Sequence, residues 1–95
     1  MLYTLSRSPY ARDLPALLLT ARRGDDLLLI QDGVIAGLAG TAALERLIAS
    51  PLGLYALDAD VAARGLLAHF SDKITLISYT GFVALTVKQS QQMAW

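Results

Sequence analysis

The stretch Asp25-Asp26-Leu27-Leu28-Leu29-Ile30-Gln31-Asp32-Gly33-Val34 decides how the chain reads. An apolar run entered from Gly24 and left through Asp32-Gly33 describes a strand buried on both faces, because neither side tolerates a polar residue. Such a strand belongs in the middle of a parallel sheet. Gln31, Asp32 and Gly33 fall at its carboxyl end, the edge at which open α/β sheets usually meet ligands and partners.

On either side of this stretch, strand and helix signals alternate. Met1 to Ser6 is short and alternating, a first strand. Asp13 suits the cap of a helix that tolerates Pro15 in its first turn and puts Leu14, Leu17, Leu18 and Ala21 on one face. Gly24 is expected to end that helix, which would leave Arg22 and Arg23 in its last turn, where the helix dipole favours cations. Beyond the central strand, Gly33, Gly37 and Gly40 limit residues 34–39 to about one helical turn, before a helix from about Thr41 to Ala49 that Ser50-Pro51 stops.

Leu52 to Leu57 reads as a third strand, with Asp58 expected to cap the next helix, which carries Asp60 in its first turn and Val61, Ala62 and Leu66 and is expected to finish near Leu67. Ile74 to Ile77 is a fourth strand, and Tyr79-Thr80 opens a last helix from Gly81 to about Lys88. Phe82, Val83, Ala84, Leu85 and Val87 lie around more than one side of that helix, so it is expected to be covered on both. The tail from Gln89 carries no strand or helix signal and ends in Trp95, which either plugs the domain's own surface or anchors in a partner. The whole implies a single small α/β domain over residues 1–95, with a mainly parallel sheet flanked by helices on both faces.

Composition points to a partner. The chain is 55% hydrophobic and 17% charged, against roughly 25% charged in ordinary soluble domains. A domain of 95 residues is near the size at which apolar surface stays uncovered. No apolar run approaches the length of about 18 residues that a membrane span needs, and the first residues lack the character of a signal peptide, so the chain is expected to be cytoplasmic. A net charge of +0 argues against direct nucleic-acid binding, although Arg7, Arg12, Arg22 and Arg23 outnumber Asp13 near the start.

Chemistry-bearing motifs are missing. With no cysteine there can be no disulfide, thiolate nucleophile or persulfide carrier, and a lone His69 rules out a histidine metal cluster. The glycines form neither a dinucleotide fingerprint nor a phosphate loop, and no serine sits in a nucleophile elbow. Asp32 suits a turn better than a general base, and Asp58 and Asp60 suit a helix start better than an acid–base pair. No catalytic, cofactor or metal residue is assigned. A stand-alone small-molecule or nucleotide-binding Rossmann-like module is the alternative, and a hydrolase using Asp32 and His69 a weaker one.

Several stretches together resemble the DsrH/TusB family. They are Leu5-Ser6-Arg7-Ser8-Pro9, the run from Leu27 to Val34, Tyr55-Ala56-Leu57 with Asp60 and Ala63-Arg64-Gly65, then Tyr79, Phe82-Val83, Leu85-Thr86 and Gln92-Met93-Ala94-Trp95. The resemblance implies a DsrE-like fold and a subunit of the heterohexameric TusBCD complex, two copies each with TusC and TusD. There, sulfur passes as a persulfide from TusA to a cysteine on TusD and then to TusE, ending as 2-thiouridine at the wobble position of certain tRNAs. Lacking a thiol, this chain cannot be a station in that relay, so the resemblance implies a structural, non-catalytic role without a cofactor. Candidate partner contacts are Phe82, Val83, Leu85 and Trp95 for their apolarity, and Arg7, Gln31, Asp32 and Gly33 as polar contacts.

Overall fold

The computed structural model describes residues 1–95. Five strands, β1 (Leu2–Leu5), β2 (Asp26–Leu29), β3 (Gly53–Leu57), β4 (Thr75–Ile77) and β5 (Gln92–Ala94), form one sheet in the order β4-β3-β2-β1-β5. Every pairing is parallel. The apolar run read from the sequence is the central strand: β2 is buried at all four positions and lies between β1 and β3.

Four helices connect the strands: α1 (Leu14–Thr20), α2 (Ala42–Ile48), α3 (Asp58–Ala63) and α4 (Tyr79–Lys88). Their starts are fixed by side-chain caps where the sequence provides them. Asp13 accepts the Ala16 N–H at 3.1 Å, Thr41 the Leu44 N–H at 3.2 Å and Ser78 the Gly81 N–H at 3.4 Å.

The strand order dictates where the helices lie. From β1 through β4 each step goes to the next strand on the same side, so right-handed crossovers put α1, α2 and α3 on one face. The final step returns across the full width from β4 to β5, and the same handedness carries α4 over the other face. Packing agrees. Leu14, Leu17, Leu44, Leu47 and Val61 join Tyr3, Leu5, Leu27, Leu29 and Ala56 in a cluster of 14 buried residues. The second cluster has 3, Leu85 of α4 on Leu2 and Leu28.

Several expectations are corrected. α1 stops at Thr20 rather than Gly24. Arg22 and Arg23 therefore lie in a turn beyond the helix, where Asp25 accepts the Arg22 N–H at 3.0 Å and Gly24 takes φ +94°. After β2 the chain forms a 3-10 helix over Gln31–Gly37, longer than one turn. Asp58 does not cap α3; Leu57 occupies the cap position and Asp58 is the first helical residue. α3 also ends at Ala63, short of Leu67, and a separate 3-10 turn follows over Leu67–His69. The tail contains β5, which the polar composition of Ser90 to Gln92 concealed. Finally, α4 is covered on one side only: Leu85 is its single buried residue.

Candidate functional site

At the carboxyl edge, Gln31 leaves β2 with φ +50°, a left-handed conformation that is costly for a residue with a side chain. It is held by Asp60, whose Oδ2 accepts the Gln31 N–H at 2.7 Å. Asp32 is paired with Arg64, Nε to Oδ1 at 3.1 Å, and Arg64 also donates to the Asp60 carbonyl at 3.4 Å. With the Asp32 side chain 66% exposed this is a surface ion pair, of modest energetic weight. Gly33 is buried, and a Cβ there would run into the Leu5 carbonyl, so its place is structural rather than at the surface. Arg7 is exposed and makes no ion pair. Thus Asp32 and Gln31 are brought together with α3, while Gly33 is withdrawn beneath them.

No three His, Cys, Asp or Glu side chains converge on a point that could hold a metal. One open depression of about 390 Å³ lies at the opposite, amino end of the strands, lined by Ile48, Leu52, Gly53, Leu54, Tyr55, Lys73 and Thr75. His69 is exposed within its 3-10 turn. No helix is long and apolar enough to cross a membrane.

The apolar candidates separate sharply. Leu85 is 6% exposed against Leu2 and Leu28, and so belongs to the domain's own interior. Trp95 is partly buried: its ring meets Tyr3 edge-on at 6.5 Å, its indole N–H donates to the Asp13 carbonyl at 3.0 Å and its backbone N–H to Thr4 at 2.8 Å. It plugs the edge of the sheet over α1. Phe82 is half-buried against the Leu2, Leu28 and Leu85 cluster, as are Ile30, Tyr55, Leu57 and Ile77, with Tyr79 edge-on to it at 5.8 Å, and Val83 points outward.

Sequence reasoning missed the most exposed members of this surface. Tyr79 is 72% and Val87 81% exposed, with Val83 at 47% between them. The four-residue spacing of 79, 83 and 87 is a helical stripe that could have been read directly. Together with the half-covered Ile30, Leu57, Ile77 and Phe82 it makes an apolar face that one helix incompletely roofs.

At the amino end of that face lies a polar cluster also missed. Asp26 is 3% exposed, and its Oδ2 accepts Lys88 Nζ at 3.0 Å and Gln89 Nε2 at 2.9 Å. Gln89 Nε2 also donates to the Gly24 carbonyl at 2.9 Å, and its Oε1 accepts from the Met1 amino group at 2.8 Å, which in turn reaches Asp25 at 3.1 Å. Gly53 leaves the space the Asp26 carboxylate occupies. The hydrogen bond to Asp26 and its charge push the Lys88 ammonium above its ordinary value of 10.5, against a small opposing effect of burial.

Fold and surface together define a small, all-parallel α/β domain with an apolar face left open and no converging reactive side chains. Comparison with known proteins identifies the family. The model of the DsrH family, described as DsrH like protein, matches residues 7–92, and the chain belongs to that family. It is 67% identical to "Protein TusB" of Sodalis glossinidius and 63% identical to "Protein TusB" of Serratia proteamaculans, each across 95 residues and the full length of both chains. The crystal structure of ychN protein from E. coli shares the fold, with a TM-score of 0.77 over 99% of this chain and 97% of that one at 17% identity.

Proposed function

We propose that this chain is a non-catalytic structural subunit of a TusBCD-type sulfurtransferase complex, assembling with TusC and TusD in a heterohexamer. That complex relays persulfide sulfur from TusA to TusE for 2-thiouridine formation at the tRNA wobble position, in the cytoplasm. The observation that carries the reading is the open face: Tyr79, Val83 and Val87 on the outer side of α4, above a sheet that α4 only half roofs. Water-exposed apolar side chains in a continuous stripe lose contact with solvent most readily against another protein. The absence of cysteine supports a supporting role, since the sulfur must travel on a thiolate of another chain. Relatives that bear the name TusB along their whole length support the choice of complex.

In this reading Val83 and Phe82, with Tyr79 and Val87, face the partners, while Arg7, Gln31 and Asp32 at the carboxyl edge help shape the surface that TusA or TusE approaches. The test is co-expression with TusC and TusD, followed by size-exclusion chromatography with light scattering. Co-elution near twice the mass of the three chains supports the proposal. A stable monomer that ignores both partners overturns it.

A further inference from the structure

We propose that residues 79–95, α4 together with β5, form a strap that opens from the sheet as one unit, with Asp26 as the latch that holds it shut. The strap is the sole roof of its face, and few apolar attachments hold it. Leu85 is its one buried apolar side chain. β5 pairs with β1 alone, at three positions, all exposed. Trp95 fastens the far end through Tyr3, Thr4 and Asp13.

Between these attachments stands Asp26. It is a buried carboxylate on the central strand whose hydrogen-bonded side-chain partners, Lys88 and Gln89, both come from the carboxyl end of α4. A carboxylate at 3% exposure is stable only while it is compensated, so the sheet favours the closed strap. Opening requires Asp26 to regain water, Leu85 and Phe82 to leave the small cluster, the β1–β5 pairing and the Gln89 hydrogen bonds to Met1 and Gly24 to break, and Trp95 to detach. Of the cluster of 14 buried residues on the other face only Tyr3 loses a neighbour, Trp95, and the contacts under α1, α2 and α3 stay in place. Segments with few buried apolar contacts are where sub-global opening is found.

Native-state hydrogen exchange by NMR on the full chain tests this, with Lys88→Met to remove the ammonium while keeping its stem and Lys88→Arg to restore the charge. In the wild type, amides of residues 82–88 and the Trp95 indole N–H should exchange through an opening shared by the strap and less sensitive to urea than that of Leu27–Leu29. Lys88→Met should speed the strap amides about tenfold, and those β2 and β3 amides that exchange by global unfolding to a similar extent because that unfolding also breaks the pair, with Lys88→Arg close to wild type. Exchange of strap and central strands at one common rate and one urea dependence in the wild type overturns the proposal, and that measurement needs no variant. No acceleration of the strap amides by Lys88→Met overturns it as well.

Discussion

The two faces of the sheet are built on the same five strands, yet one is closed and the other half open. Under α1, α2 and α3, Leu5, Leu17, Leu27, Leu29 and Leu47 are at or within 1% of complete burial. Under α4, the only buried apolar side chains are Leu2, Leu28 and Leu85, while Ile30, Tyr55, Leu57, Ile77 and Phe82 remain partly in contact with water. The difference follows from topology rather than composition. Three consecutive steps in one direction put three helices on one side, and the single return crossover supplies the other side with one. The closed face therefore holds the fold, and the open one leaves apolar surface in contact with water.

The largest effects are expected where the closed face is disturbed. Leu29→Ala removes a side chain 1% exposed from the tightly packed cluster and should cost about 3–5 kcal/mol, a large part of the stability of so small a domain. Leu85→Ala, in the thin cluster with a half-open roof that can relax, should cost about 2–3 kcal/mol. Urea denaturation of both variants measures the contrast. If Leu85→Ala proves as damaging as Leu29→Ala, the two faces are energetically equivalent and the division drawn here fails.

Much of the closed face was legible in the sequence because its signals are local. The run Leu27–Ile30 announces a doubly buried strand, and Asp13 and Thr41 announce helix starts that the structure confirms by hydrogen bonds. Asp58 misled because its carboxylate stands at the first helical residue, while Asp60, two residues on, bonds across to Gln31 instead. The open face was harder, since what decides it is nonlocal. β5 has no strand pattern of its own and exists because β1 offers an edge. Leu85 and Val83 are equally apolar in sequence, and only the angle at which α4 lies on Leu2 and Leu28 sends one inward and the other out.

That angle sharpens the comparison through substitutions that separate assembly from stability. Val83→Ser with Val87→Ser changes two exposed positions of α4 and should shift the unfolding free energy by no more than about 1 kcal/mol in total. Co-elution with TusC and TusD should nevertheless be lost or greatly weakened. Unchanged co-elution, with the fold intact, would remove the α4 stripe from the interface and leave the carboxyl edge around Arg7 and Asp32 as the remaining candidate.

The smallest effect expected is a pH dependence confined to the open face. In the folded chain the Lys88 ammonium is held above 10.5 first by its hydrogen bond to Asp26 and then by the carboxylate's charge, with Tyr55 adding a lesser pull and burial working against them. The folded state thus keeps a proton that the unfolded chain releases, so the contribution of Lys88 to stability is complete below 10.5 and is lost as the pH rises through the folded value. The difference between wild type and Lys88→Met reports on the lysine. Denaturant midpoints measured at pH 8 and pH 11 should show wild type ahead of Lys88→Met at the lower pH and the gap narrowing at the higher. A gap that widens with pH, or that was never there, would mean that the buried Asp26 is satisfied by Gln89 without the ammonium, and that α4 is held to its face by packing alone.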